Sequence, residues 1–134
     1  MTKEQFWKIP LWLGVHQHVN RIVRESDKNI CTSSGVQGSY SLVYRIPQPI
    51  KACRSDLIVT FDADVLSGIV GFGAIQGDGS SFLAETACEP GAQPAPFTIQ
   101  AGDIAKLANL VIRNLASGDS PSEFVVRSIT VEAT

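Results

Sequence analysis

The chain has 134 residues, of which 44% are hydrophobic and 18% charged, with a formal net charge of −2 at pH 7. This length is typical of one domain, so we expect residues 1–134 to form a single domain. No lysine- or arginine-rich run offers the positive surface that nucleic acid requires. No apolar run approaches the roughly 18 residues of a membrane span. We therefore expect neither nucleic acid nor a membrane as a partner.

The number and spacing of the cysteines indicate which cellular compartment the protein suits. Cys31, Cys53 and Cys88 are odd in number and not closely spaced, so at most one internal disulfide could form. This usage suits a reducing compartment better than a disulfide-stapled secreted module. The first ten residues lack the apolar run and cleavage site of a signal peptide. We expect a cytoplasmic location, either for this chain alone or for a larger protein of which it is one domain.

The first half of the chain predicts short strands separated by turn residues. Residues 6–15 carry both tryptophans and predict a strand pair, or one strand kinked at Pro10, because proline cannot donate to a sheet. Further strands are predicted over three ranges: 19–25, 30–32 and 40–46. Turn-forming residues predict a turn at 26–29. Strict alternation would place four side chains on one face of the last strand: Tyr40, Leu42, Tyr44 and Ile46.

The second half consists of one predicted strand after another. Five runs of β-forming residues are bounded by turn residues: 57–65, 69–75, 82–86, 108–113 and 124–131. The first of them alternates most clearly, with Leu57, Val59 and Phe61 on one face and Asp62 and Asp64 on the other. Short β-rich runs at this spacing predict an all-β sandwich or barrel.

The segment 104–115 fits two periods. A helix here would begin with Asp103 as its N-cap and would present an apolar face. The same residues fit a strand with Ala108, Leu110 and Ile112 on one side. We predict a strand, because the final strand of the chain needs a partner.

From Tyr40 to Val131 the order of elements resembles the jelly-roll sandwiches of carbohydrate-binding modules and galactose-binding-like domains. The matching pieces are residues 40–44, 57–64, 67–73, 110–114 and 124–131. The resemblance implies an antiparallel jelly-roll β-sandwich that binds a glycan on its concave face or on an edge built from loops. It also implies attachment to an enzyme that synthesises, exports or degrades polysaccharides.

Sugar recognition calls for aromatic rings against the C–H face of the sugar ring, with carboxylates and amides bonding its hydroxyls. The candidates for stacking are Trp7, Trp12, Tyr40 and Tyr44. The candidates for hydrogen bonding are Asp62, Asp64, Arg113 and Asn114. For each aromatic residue the alternative is packing at the rim of the core.

Asp62 and Asp64 lie two residues apart on a predicted strand, so both side chains point to one face. They could hold sugar hydroxyls or help to ligate calcium through oxygen. The alternative is a solvated sheet face. We expect no other cofactor.

His16 and His18 form a His-x-His pair that we place on one strand face. With Gly14 before and Glu25 after, they resemble the first metal motif of cupins. The spacing to the glutamate is longer than in that family, and its third histidine is missing. A metal held by two imidazoles and one distant carboxylate would be the site of a cupin-like enzyme.

Three hypotheses follow. The leading one is a non-catalytic module that binds a glycan or polysaccharide by aromatic stacking and hydrogen bonds. The second is a structural sandwich that joins protein chains, as a homo-oligomer or with an attached enzyme domain, through an apolar sheet face. The third is the cupin-like metal-dependent enzyme.

Overall fold

Two antiparallel sheets packed face to face make up the computed structural model, which describes residues 5–25, 28–77, 79 and 81–134. The strands are β1 (Gln5–Lys8), β2 (Val15–His16), β3 (Val19–Glu25), β4 (Lys28–Ser33), β5 (Tyr40–Arg45), β6 (Leu57–Ser67), β7 (Val70–Gln76), β8 (Phe82–Cys88), β9 (Phe97–Ile99), β10 (Leu107–Asn114) and β11 (Glu123–Ala133). The helices are short: 3₁₀ helices over Leu11–Leu13 and Ala101–Lys106, and α1 over Gln48–Lys51. None of the helices in these ranges is long and apolar enough to cross a membrane.

The strand order defines the two sheets. The first sheet runs β3-β4-β11-β6-β9, and β1 also pairs with β11. The second sheet runs β2-β5-β10-β7-β8. Every pairing between the described strands is antiparallel. The prediction of an all-β, antiparallel jelly-roll β-sandwich is confirmed.

The core lies between the sheets and is built by alternating side chains. On β6, Leu57, Val59 and Phe61 are fully buried, as their alternation predicts. Phe61 meets Phe72 of β7 with ring centroids 5.2 Å apart, so aromatic side chains bridge the two sheets. Burying a side chain of this size stabilises the fold by roughly 1.5–3 kcal/mol. The outer face of each sheet does not take part in this core and is available for other contacts.

The sequence left two interpretations open for residues 6–15 and for residues 104–115, and the structure explains both segments. Residues 6–15 divide between the sheets, because the chain leaves β1 at Pro10 and passes through a 3₁₀ helix to β2. The strand predicted within 104–115 is present as β10. Its helical pattern comes from the preceding 3₁₀ helix, which buries Ile104.

The turn predicted at 26–29 is wrong for its second half. Lys28 and Asn29 belong to β4, where they pair with Glu25 and Arg24 of β3. Residues 26–27 lie outside the described residues.

The cysteines make stability sensitive to alkaline pH. Cys31, Cys53 and Cys88 are all free thiols, and burial raises the pKa of Cys31 from 9.0 to about 11. The unfolded chain ionises this thiol first, so the stabilisation is complete below pH 9 and is lost as the pH rises towards 11. We expect urea unfolding between pH 8 and 10 to show this loss.

A Cys31→Ala variant is the control for that measurement. It should be less stable and should lose less stability with rising pH than the parent protein. The remaining dependence comes from Cys88, whose pKa is also raised by burial and by the charge of Glu89. Burial also raises the pKa of Tyr44, whose ordinary value of 10.0 places its effect at higher pH. An equal pH slope in the variant and the parent protein would contradict the assignment to Cys31.

Candidate functional site

Two outward-facing glycines shape the outer face of the second sheet. Phe72 and Ala74 of β7 are fully buried in the core, so Gly71 and Gly73 face outward. A Cβ atom on Gly73 would lie 2.9 Å from the ring of Phe82, and one on Gly71 would lie 2.6 Å from a carboxylate oxygen of Glu85. The missing side chains let these two residues of β8 lie across β7.

Arg113 of β10 contacts both Phe82 and Glu85. Its guanidinium carbon lies 4.3 Å from the centroid of the Phe82 ring, a cation–π contact. Its Nε and Nη2 atoms donate to the two carboxylate oxygens of Glu85, each at 2.6 Å. These hydrogen bonds raise the pKa of Arg113. A bidentate, charge-assisted pair of this kind fixes the side chain in one orientation.

Tyr40 completes this group, which we call the Arg113 cluster (Tyr40, Phe82, Glu85 and Arg113). Strict alternation placed Tyr40 on the same face as Leu42, and this is wrong. Arg113 pairs with Tyr40 and its neighbour Ile112 with Leu42, so Ser41 is an extra residue at a β-bulge. The bulge turns Tyr40 outward, where its ring meets Phe82 edge-on at 6.2 Å.

Two open clefts follow β5 on this outer face. The Tyr40 cleft has a volume of about 400 Å³ and is lined by Gln17, His18, Ser34, Val36, Gly38, Ser39 and Tyr40. The Arg45 cleft has a volume of about 900 Å³ and is lined by Leu13, Val15, Gln17, Val43, Arg45, Ile46, Pro47, Gln48, Lys51, Ala108 and Asn109. Gln17 lines both clefts, so they adjoin. Each combines apolar surface with amide or hydroxyl groups.

The Arg113 side chain lies close to the Tyr40 cleft without lining it. Its Nη1 atom takes part in neither bond to Glu85 and lies 3.9 Å from the position of a Cβ atom on Gly38, which lines that cleft.

The two tryptophans are placed differently. Trp12 is 82% exposed in the 3₁₀ helix, and the next residue, Leu13, lines the Arg45 cleft. Trp7 on β1 packs against the core from the first sheet. An indole as exposed as that of Trp12 leaves a large apolar surface in water.

Tyr44 and Asn114 were both predicted to contact a ligand, but the structure buries both side chains. Tyr44 is 2% exposed and Asn114 is fully buried. The Asn114 Nδ2 atom donates to the carbonyl oxygens of Ser34 and Ser120, and its Oδ1 atom accepts from Ser122 Oγ at 2.7 Å. This amide joins two loops and has no capacity left for a ligand.

Asp62 and Asp64 lie on the outer face of the first sheet, opposite the clefts. Their shared face is confirmed, because Arg127 of β11 pairs with both carboxylates. The Arg127 Nη2 atom lies 2.6 Å from Asp62 Oδ1. The described residues contain no group of three His, Cys, Asp or Glu side chains that could hold a metal ion. Sugar or calcium binding at this pair stays a prediction.

The shared strand face proposed for His16 and His18 is wrong. Strand β2 ends at His16, and the amides of Gln17 and His18 still donate to the carbonyl oxygens of Ser41 and Tyr40 before β3 begins at Val19 in the first sheet. His16 lines a small cavity of about 80 Å³ together with Tyr44, whereas His18 lines the Tyr40 cleft. The two imidazoles therefore face different surroundings.

Sequence reasoning missed Phe82, Glu85 and most of the cleft lining. One signal was available for the first two. Gly71 and Gly73 alternate with buried residues, a pattern of glycines two apart that marks a close approach to one strand face.

No protein-family model matches the chain, and no curated protein matches its sequence. Solved structures match it over nearly its whole length. A xylan-binding module of family 15 matches with a TM-score of 0.64 at 13% identity, covering 98% of each chain. A carbohydrate-binding module of family 4 matches with a TM-score of 0.62 at 8% identity, covering 92% of this chain and 96% of the other.

A family 29 carbohydrate-binding module from Piromyces equi matches with a TM-score of 0.61 at 6% identity, covering 99% of this chain and 93% of the other. At such identities the likeness is one of fold. The chain has the jelly-roll sandwich fold of carbohydrate-binding modules.

Proposed function

We propose that this chain is a non-catalytic carbohydrate-binding module and that its ligand lies along β5 on the outer face of the second sheet. The observation that carries the proposal is the pair of adjoining clefts, which share Gln17 and combine apolar floors with hydrogen-bonding walls. A sugar ring presents the same combination, with apolar C–H faces and a rim of hydroxyls. The fold supports the proposal, since the matched structures include a module that binds xylan.

Each part of the clefts has a role in this proposal. The rings of Tyr40 and Trp12 cover C–H faces of successive sugars. Gln17 and Asn109 bond hydroxyl groups. A few placed polar groups on a mostly apolar wall are typical of small-molecule sites.

The positions of the acidic side chains support a module without catalysis. Glycoside hydrolysis generally needs two carboxyl groups on either side of the scissile bond. No aspartate or glutamate among the described residues lines either cleft. The paired carboxylates Asp62 and Asp64 lie on the other sheet and both form ion pairs with Arg127.

The test is affinity electrophoresis and calorimetry with soluble xylan, mixed-linkage glucan and cellulose oligosaccharides. Trp12→Ala and Tyr40→Ala should each weaken binding at least about tenfold, as loss of an aromatic contact usually does. Tyr40→Phe keeps the ring and should bind almost normally. Phe6→Ala is the matched control, because Phe6 is also exposed, at 61%, but lies on β1 of the first sheet.

Two results would overturn the proposal. Normal binding by both Trp12→Ala and Tyr40→Ala would move the ligand away from this face. Failure to bind any glycan, together with an oligomer that Trp12→Ala dissociates, would identify the exposed apolar surface as a protein interface.

A further inference from the structure

The Arg45 cleft carries positive charge and no negative charge. Arg45 and Lys51 both line it, and its lining holds no aspartate or glutamate among the described residues. Arg45 is exposed at the end of β5, whereas Lys51, at the end of α1, is half-buried. The cleft thus sets two cations beside a sugar-sized volume.

Several other cations among the described residues have carboxylate partners. Arg113 pairs with Glu85, Arg127 with Asp62 and Asp64, and Lys106 with Asp103. Neither Arg45 nor Lys51 forms an ion pair or hydrogen bond through its side chain with any residue that the structure describes. A cation that is partly removed from water and has no counter-charge favours an anion brought by a ligand.

The rest of the lining suits a sugar rather than a free anion. Gln17, Gln48 and Asn109 supply amides, while Val15 and Val43 supply an apolar floor. The whole protein has a net charge of −2 and would not attract polyanions by its overall field. Selection of an anionic ligand would therefore come from this cleft itself.

Lys51 extends the positive surface beyond the Arg45 cleft. It also lines a neighbouring cleft of about 400 Å³ that includes Arg54. Asp56, which accepts from the Ala101 amide at 2.8 Å, and Asp103, which pairs with Lys106, do not line this cleft. A glycan chain continuing past Lys51 would meet a third cation.

We propose that the glycan bound in the Arg45 cleft is anionic and carries carboxylate groups, as uronic acid sugars do, and that Arg45 and Lys51 bind those carboxylates. This inference rests on the proposed function, because it names the ligand class of the same face. Charge-assisted hydrogen bonds to a carboxylate are stronger than those to a neutral hydroxyl.

The experiment compares acidic polysaccharides with their carboxyl-reduced forms, in which each uronic acid becomes a neutral sugar on the same backbone. Glucuronoxylan, polygalacturonate, alginate and hyaluronan are the probes, with dextran sulfate and unsubstituted xylan as further arms. At least one acidic polymer should bind about tenfold more tightly than its reduced form. Raising the ionic strength should abolish most of that difference.

Charge-removing variants locate the effect. Lys51→Gln and Arg45→Gln should each weaken binding of the acidic polymer about tenfold and should weaken binding of the reduced form far less, so that the difference between the two polymers shrinks. Lys8→Gln removes the same charge from the exposed surface of β1 in the first sheet and should behave like the parent protein. Both target side chains have solvent access and no side-chain partner, so these variants should fold normally.

The outcomes distinguish a failure of the anionic-ligand inference from a failure of the proposed carbohydrate binding. Equal binding of acidic and reduced polymers, or an effect insensitive to Lys51→Gln and Arg45→Gln, overturns the inference and leaves carbohydrate binding standing. Binding of dextran sulfate with no carboxylate polymer bound overturns the carboxylate assignment. Binding of no glycan at all, neutral or acidic, overturns both.

Discussion

Replacing Tyr44 by alanine is expected to lower the free energy of unfolding by about 3–5 kcal/mol, the usual cost of truncating a large core ring. Tyr44 is 2% exposed, and a Cβ atom on Gly14 would lie only 2.6 Å from its ring. The neighbouring backbone is therefore closely packed around it. Urea unfolding monitored by fluorescence and circular dichroism measures the loss.

Trp12→Ala is the matched comparison for Tyr44→Ala. Its ring is 82% exposed, so its removal should change the free energy of unfolding by no more than about 0.5 kcal/mol. Per folded molecule, glycan binding should be normal in Tyr44→Ala and weakened in Trp12→Ala. A stable Tyr44→Ala variant with lost binding would restore the ligand role that sequence reasoning assigned to this tyrosine.

Replacing Asn114 by alanine should cost a similar amount, about 3–5 kcal/mol, for a different reason. Each buried polar group left without a partner costs about 1–3 kcal/mol. The substitution leaves the carbonyl oxygens of Ser34 and Ser120 without the Asn114 amide. It leaves the Ala116 amide without an acceptor, and Ser122 Oγ keeps only the carbonyl oxygen of Ile69 as an acceptor. Equilibrium unfolding in urea measures the total.

Hydrogen exchange would localise the Asn114→Ala effect to the loops at 34–39 and 115–122. Ser39→Ala is the control, because its hydroxyl joins the same loop through bonds at the surface to the carbonyl oxygen of Val36 and to Ser34 Oγ. It should cost less than about 1 kcal/mol. A loss within about 0.5 kcal/mol for Asn114→Ala would mean that the loops hold together without the amide.

The strands were predictable wherever one face of a strand is buried. Leu57, Val59 and Phe61 alternate with polar residues because β6 packs one face on the core, and the sequence carries that period directly. Segment 104–115 was ambiguous for a physical reason. A 3₁₀ helix runs straight into β10, so two periods overlap within a few residues.

The site was less predictable, because its geometry depends on departures from regular pairing. The bulge at Ser41 moves Tyr40 to the outer face while Tyr44 stays in the core, yet alternation treats the two tyrosines alike. A bulge is set by the partner strand, here at Arg113, and a partner distant in sequence cannot be read from a local pattern.

The ion pairs of Asp62 and Asp64 also depend on irregular pairing between strands distant in sequence. The shared face of Asp62 and Asp64 follows from their spacing, and this was predicted. Their partner Arg127 lies at a register shift between Val126 and Ser128 of β11, which no local pattern reveals. Sequence thus identified the carboxylates but not the ion pairs that they form with Arg127.

The position of β11 has a consequence for how the chain folds during synthesis. It is the last strand in the sequence, yet in the first sheet it pairs with β1, β4 and β6. Until residues 123–133 leave the ribosome, those three strands keep open edges on which a second nascent chain could pair. Contacts so distant in sequence also form slowly. The 11 residues of this strand therefore decide both when the sandwich closes and how long the growing chain is exposed to aggregation.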